Sequence, residues 1–443
     1  RGVMLYFFKK VYDTLPKERL KFLKYLPDRV LYGSSYFESF PKVTFDKRVL
    51  DKNLYETLLY AKRNTQFGNE YIPNNITPQN AREVLEDMPV ITSLDISINP
   101  EYYISKEYKA KNSYFASTGG TGTGRNPTKV LLSNESFGIE WAHIHHMWLT
   151  LGYDKKKDLK LTLREKNLKG DKLLEYNPIY NEIVVDPFKI KDGNIKKFIE
   201  EIRGFDFTFI HGYPSFVKEF MIYFEKYGYR PKVKGVLLGS EGATVEEKRE
   251  ISDFFEAQVL HWYGLTEKVA LAADFTNENI YKVYTSYGYP RIVNGELVAT
   301  TFVNRAMPLI NYKTGDGAEV FEDEESIYIK NLKGREGKDF IYVDESKKIP
   351  ILCVTLASEI NDKILFYQTI QNEFGKIEIR LLPKPGERDS LNYIIEKLGT
   401  DATTMKDSGL KIDFKLVTEK DIQRSHRGKL IQLIQNLKVP KQG

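Results

Sequence analysis

Between Leu159 and Trp262 the chain alternates short apolar runs with helical stretches, and this alternation restricts the fold more than any other feature. Leu159–Leu163, Phe207–Ile210, Gly235–Leu238 and Gln258–Trp262 read as strands, separated by helices at Asn194–Ile202, Pro214–Lys226 and Val245–Phe255. Strands joined through helices run mostly parallel, because the helix carries the chain back before the next strand is added. The expectation is an α/β layer architecture. Upstream, Leu50, Leu54, Leu58 and Ala61 recur at helical spacing, and Asn134 is placed to cap a helix carrying Phe137, Trp141, Ile144, Trp148 and Leu151. Downstream, Tyr281–Val320 breaks into short strands with Gly and Asn turns, a β-rich subdomain. Lys376–Leu382, a helix around Leu391–Leu398, and Ile412–Val417 then suggest a βαβ unit followed by a basic tail. With 443 residues the chain exceeds one compact core. The expected division is a large N-terminal domain, 1–332, and a small C-terminal α+β domain, 333–443.

Composition removes several classes of function. The net charge of +5 comes from 66 basic and 61 acidic residues that are interleaved, so a nucleic-acid partner is not expected. The lone cysteine, Cys353, excludes an intramolecular disulfide and a Cys-based zinc site. No apolar run reaches the ~20 residues that span a bilayer, so the expectation is no integral membrane segment and a cytoplasmic, reducing location. Leu5, Phe7, Phe8, Val11 and Leu15 suit an amphipathic surface helix interrupted by charge. His143, His145 and His146 have no acidic or cysteine partner at ligand spacing and read as helix-surface or pocket-lining groups. Lys155–Lys157 reads as a solvated loop. Oligomeric state is left open.

The chemistry begins at residues 117–129, Ser-Thr-Gly-Gly-Thr-Gly-Thr-Gly-Arg-Asn-Pro-Thr-Lys. Gly119, Gly120, Gly122 and Gly124 let backbone amides converge on an anion. Ser117, Thr118, Thr121 and Thr123 add hydroxyl donors, and Arg125 and Lys129 add positive charge. The spacing is not that of a P-loop NTPase, and no helix follows directly as in a dinucleotide fingerprint. Ser113–Ala116 and Thr128–Leu132 read instead as the arms of a hairpin, so the cradle sits at a turn. By itself such a loop is better explained as a structural turn.

Five further segments follow in order: Gly239-Ser-Glu-Gly242, Trp262-Tyr-Gly-Leu-Thr-Glu267, Tyr312-Lys-Thr-Gly-Asp316, Gly334-Arg335 and Arg427-Gly-Lys429. Together with the glycine-rich loop they resemble the adenylate-forming (acyl-CoA ligase) superfamily. Within it the likeness is to the phenylacetate-CoA ligase branch, with its CapK-type capsular polysaccharide biosynthesis proteins and coenzyme F390 synthetases. Leu59-Tyr-Ala-Lys-Arg-Asn-Thr65, Met88-Pro-Val-Ile-Thr92 and His211-Gly-Tyr-Pro-Ser215 support the same branch.

The resemblance implies an ATP- and Mg²⁺-dependent conversion of a carboxylic acid to an acyl-AMP, followed by acyl transfer to coenzyme A or to an amine in surface polysaccharide assembly. F390-like adenylyl transfer to a phenolic hydroxyl, and a non-catalytic nucleotide-binding protein, are the alternatives. It assigns Glu267 to the metal, Thr266 to the α-phosphate and Tyr263, beside Gly264, to adenine. Gly239, Ser240 and Glu241 would form the other wall of that adenine pocket. Asp316 and Arg335 would hold the ribose. Lys429, on a mobile C-terminal domain, would bridge the substrate carboxylate and ATP during adenylation, and His211, Tyr213 and Pro214 would line the acid pocket. An acceptor-only carboxylate suits the ribose hydroxyls, and a hard cation prefers carboxylate oxygen. The sequence departs from the branch at Asn311, where arginine is common, so the resemblance does not carry over a phosphate or substrate contact at that position.

Overall fold

The repeat at Leu50–Ala61 is realised as helix α1 (Leu50–Asn64), which turns Leu50, Leu54, Leu58 and Ala61 fully out of solvent. Each buried leucine contributes about 1.5–3 kcal/mol. Leu54, Leu58 and Ala61 join a core with Ile91, Val130, Leu132, Leu309 and Ile310. This computed structural model describes residues 22–437 except 110, 118–128, 165, 167, 191–192, 334–339, 346, 352–353, 355, 385 and 424–432. Thr118, Gly119, Gly120, Thr121, Gly122, Thr123, Gly124, Arg125, Arg335, Lys429, Cys353 and the apolar N-terminal segment therefore lie outside the described residues.

The described chain forms two compact units, one of residues up to Pro41 with Trp141–His261, the other of Lys42–Glu140 with Trp262 onward. In the second unit β1 (Ser113–Ser117) and β2 (Lys129–Ser133) pair antiparallel, Ser117 opposite Lys129, as the hairpin reading requires. β2 runs directly into α2 (Asn134–Leu149).

The first unit carries the alternating pattern. β3 (Lys160–Leu163) is followed by β4 (Leu174–Asn177) and β5 (Glu182–Val185), an antiparallel pair that sequence alone did not reveal. β5 is as short and as buried as β7, but it is not set between two helical stretches as β7 is, so the alternation of strand and helix does not mark it. Helix α3 (Ile195–Ile202) leads to β6 (Phe209–Gly212), α4 (Pro214–Lys226) to β7 (Gly235–Leu238), and α5 (Val245–Phe255) to β8 (Gln258–Gly264). β3 pairs parallel with β5 and β6, β6 with β7, and β7 with the first residues of β8. Only glycine fits at Gly212, where a Cβ would run into the Leu163 carbonyl.

The rest of the second unit is mostly antiparallel. β9 (Leu271–Asp274), β10 (Tyr281–Val283), β11 (Gly288–Val293), β12 (Glu296–Thr301), β13 (Tyr312–Lys313), β14 (Gly317–Glu322) and β15 (Ile327–Lys333) follow in order. They form two antiparallel groups, β9-β10-β15-β14 and β11-β12-β13. After the short pair β16 (Phe340–Tyr342) and β17 (Lys348–Pro350) come β18 (Ile364–Glu373) and β19 (Lys376–Pro383). Helix α6 (Arg388–Leu398) then leads to β20 (Lys411–Leu416), parallel to β19, so the βαβ reading holds. The basic tail is corrected in part: Leu433–Gln435 is a strand, β21, paired parallel with β18. Its buried Leu433 and Ile434 outweigh the flanking lysines. Among the described residues no helix is long and apolar enough to cross a membrane.

Candidate active site

Two of the motifs meet in the second unit through a reciprocal exchange. Tyr263 near the end of β8 donates its hydroxyl to Asp316 Oδ2 at 2.7 Å. Tyr312, opening β13, donates to Glu267 Oε1 at 2.8 Å. Each motif thus lends a tyrosine to the carboxylate of the other. The turn before Asp316 depends on Gly315 at φ +86°, a region that disfavours other side chains, and Asp316 N–H is held by Thr314 Oγ1 at 3.2 Å. Burial, then the Asp316 charge and hydrogen bond, push the Tyr263 phenol well above its ordinary range, so the hydroxyl remains a donor. Glu267 is buried, whereas Thr266 and Gly264 are exposed.

Asn311 has a structural task. It is buried at φ +50°, its amide donates to the Leu85 and Met88 carbonyls at 2.6 and 3.1 Å, and its Oδ1 accepts from Arg291 at 2.9 Å. Asparagine tolerates this left-handed backbone better than arginine does. The residue before Tyr312 therefore locks β13 in place.

In the first unit Ser240 stands at φ +69°, and the Glu241 carboxylate accepts from Ser215 N–H at 3.2 Å and Ser215 Oγ at 3.1 Å. This places a negative charge at the N-terminus of α4, where amides lack helical partners. The Glu241 carbonyl also lies 2.8 Å from His261 Nε2. Pro214 is buried at the first position of α4, and the Tyr213 ring stacks on Phe216 with centroids 5.7 Å apart. His211 lies against Trp148 at 5.2 Å.

Beside His211 sits a polar network that the sequence reading missed. Lys160 and Glu182, both buried, pair at 3.3 Å; Lys160 also donates to the Tyr180 carbonyl at 2.8 Å, and Glu182 accepts from Thr162 at 2.8 Å and Asn177 at 2.9 Å. The available signal was the lysine in the otherwise apolar-facing run Lys-Leu-Thr-Leu. Burial alone raises the Glu182 carboxyl, but Lys160, Arg164 and the Thr162 hydroxyl outweigh it and hold the pKa at about 2.

Two expectations need correction here. His143 and His145 are not surface groups: both are buried, and His145 Nδ1 lies 3.0 Å from the Tyr36 hydroxyl. Lys155 is not a freely solvated residue, because it pairs with Asp28 at 2.7 Å and lies 4.7 Å from the centroids of both Tyr32 and Tyr36. The rings of Tyr32 and Tyr36 hold its ammonium inward. His145 and Trp141 do line a cavity, but it measures about 10 Å³, room for roughly one water.

These groups set the response to acid. Burial, reinforced by nearby cations, holds both His145 and His211 well below 6.5. They stay neutral when folded and take up protons when unfolded, so their contribution is fully present above pH 6.5 and declines as pH falls below it. Glu182 contributes above pH 4.5, and that stability is lost as pH falls towards about 2. Denaturant midpoints are expected to drop below pH 6.5 and again below 4.5. His145→Gln with His211→Gln should flatten the upper limb; an unchanged limb would show that these imidazoles do not cause it.

Lys129, the first residue of β2, pairs with Asp362 at 3.0 Å with both side chains more than half exposed. Such a pair is worth about 0–1 kcal/mol and yields readily to a phosphate. Ser117 pairs through its backbone in β1. For magnesium the donor set fits: the ion is commonly held by one or two carboxylates plus phosphates and waters, and Glu267 is one carboxylate fixed by Tyr312. Among the described residues no group of three His, Cys, Asp or Glu forms a metal cage.

No family model matches the chain. Its fold is that of an acyl-CoA ligase. The solved structure of 2-hydroxyisobutyryl-CoA ligase in complex with 2-HIB-AMP and CoA, in the thioesterification state, aligns at TM-score 0.53 and 15% identity, covering 89% of this chain and 90% of that one. An open conformation of the same ligase with 2-HIB-AMP and CoA aligns at 0.48 and 14% identity over 88% and 91%. In sequence the chain is similar to Protein CapK of Staphylococcus aureus, 22% identical over 413 residues, 86% of this chain and 87% of that one. Fold and sequence thus agree with the resemblance to the adenylate-forming superfamily and its CapK branch.

Proposed function

We propose that this protein is an AMP-forming ligase that activates a carboxylic acid with ATP and passes the acyl group to coenzyme A or to an amine. The observation that carries the reading is the reciprocal pairing of Tyr263 with Asp316 and of Tyr312 with Glu267. It brings together the residues assigned to nucleoside and to metal. The fold shared with a ligase crystallised with an acyl-AMP and CoA supports it.

In the proposed reaction a carboxylate oxygen of the acid attacks the α-phosphorus of ATP. The bond to the bridging oxygen breaks, and pyrophosphate leaves with its electron pair. The acceptor thiol or amine then attacks the acyl carbon, releasing AMP. Asp316 accepts hydrogen bonds from the ribose hydroxyls, while Tyr263 with Gly264 meets the adenine face. Thr266 donates to the α-phosphate. Ser117 to Gly124 and Lys129 receive the β- and γ-phosphates. Gly239, Ser240, Glu241 and Arg335 remain assigned to the nucleotide, and His211, Tyr213 and Pro214 to the acid. Lys429 orients the acid carboxylate from a small domain, 333–443, that moves between the two half-reactions. Magnesium, when bound, neutralises the phosphates and the departing pyrophosphate. Glu267 is the carboxylate that would hold it.

The test is a pyrophosphate-release screen over aryl acids, fatty acids, amino acids and sugar acids, with and without coenzyme A. Acid-dependent release is expected. Release only with a phenol would replace this reading by adenylyl transfer to a hydroxyl.

A further inference from the structure

The turn bearing Thr266 and Glu267 is fastened by a residue outside the motifs. Lys268 stands at φ +56°, its N–H bonded to the Leu265 carbonyl at 3.0 Å, and its side chain points into the protein with 4% exposed. Its Nζ lies 2.7 Å from Glu140 Oε2 and 3.4 Å from the Ser136 carbonyl, both in the first turns of α2. Glu140 Oε1 accepts from the buried Tyr287 hydroxyl at 3.2 Å. The Ser136 hydroxyl donates to the Ser133 carbonyl at 2.7 Å, and Ser133 N–H donates to Asn304 at 3.0 Å. Ser133 is the last residue of β2. A polar chain thus runs from the acidic turn to the foot of the glycine-rich hairpin.

A lysine is an expensive choice at this position. Its ammonium gives up water, and its backbone occupies a region unfavourable to most side chains. A solvated lysine would avoid the first penalty. What the inward orientation achieves is a charge-assisted tie between two segments of distant sequence.

We propose that Lys268 is a positioning residue: its pair with Glu140 sets the Thr266–Glu267 turn against the base of the β1–β2 hairpin. The carboxylate assigned to the metal is thereby held against β2, the strand that follows the segment assigned to the phosphates. The role rests on the adenylation reading, and it is tested in the full chain with two readouts.

With an acid found active in the screen, Lys268→Met is expected to lower kcat for pyrophosphate release about 10- to 100-fold, the range for residues that orient a metal ligand. The magnesium concentration for half-maximal rate should rise, while KM for the acid stays within about twofold. Lys268→Arg should recover most of the rate. Glu140→Gln should act in the same direction, and the double variant should be no worse than Lys268→Met alone, because both remove one interaction. Wild-type kcat in Lys268→Met, or additive losses in the double variant, would overturn the proposal.

The second readout needs no substrate. Amide hydrogen exchange over 264–268 and 130–133 should accelerate in Lys268→Met, and unchanged exchange would overturn the tie. If the wild type releases pyrophosphate with no acid, adenylation fails while exchange still decides the tie. Should Lys268→Met not fold, Glu140→Gln carries both readouts, since its side chain is about one-third exposed and tolerates the loss of charge.

Discussion

Replacing Glu267 by glutamine is expected to lower acid-dependent pyrophosphate release by about a hundredfold or more while leaving the fold intact. Glutamine preserves the shape and can still accept the Tyr312 hydroxyl through its amide oxygen. It removes only the charge. A metal that neutralises developing phosphate charge supplies several kcal/mol to the transition state, and removing the charge of the carboxylate proposed to hold it would forfeit much of that. The loss should shrink as magnesium is raised. Thermal stability should hold or rise slightly, since an amide is less costly to bury than a carboxylate. Tyr312→Phe separates orientation from charge, and its expected loss is about tenfold. Unchanged kinetics in Glu267→Gln at limiting magnesium would remove Glu267 from the metal site.

The second large effect is on the nucleotide. Asp316→Ala is expected to raise KM for ATP by roughly a hundredfold, because hydrogen bonds to a charged group contribute about 1.5–3 kcal/mol each and two are assigned to the ribose. The acid KM should move little. Tyr263→Phe keeps the ring and loses only the donor that Asp316 Oδ2 accepts at 2.7 Å, so its penalty should be about tenfold. Tyr263→Leu also removes the aromatic face and should exceed it. An Asp316→Ala variant with normal ATP dependence but altered acid selectivity would move Asp316 to the acid pocket.

The helices legible in advance were those with room to show a period, and the strands those set among them. Helices α4 and α5 match their expected bounds and α1 its expected repeat, since each has at least three turns with an apolar face. The β4–β5 hairpin and β21 were missed because, unlike the equally short β6 and β7, they are not set between two helical stretches. At the site, the ordered motifs named Tyr263, Glu267 and Asp316, yet the crossed pairing that joins them could not be read from either motif alone. A hydrogen bond between residues 45 or 53 positions apart leaves no local pattern. Lys155, Lys160 and Lys268 were hidden for the opposite reason. Lysine is ordinarily a surface residue, and its burial becomes visible only when the partner, Asp28, Glu182 or Glu140, is placed beside it. The burial of His145 is legible only in the same way, its partner Tyr36 lying 109 residues away.

The central claim is that a carboxylate oxygen of the substrate attacks the α-phosphorus of ATP. It is tested most directly by supplying the active acid with ¹⁸O in both carboxylate positions and weighing the AMP released after acyl transfer. The account predicts AMP carrying one ¹⁸O, the atom left behind when the acceptor takes the acyl group. AMP without label, or label recovered instead in inorganic phosphate, would contradict it.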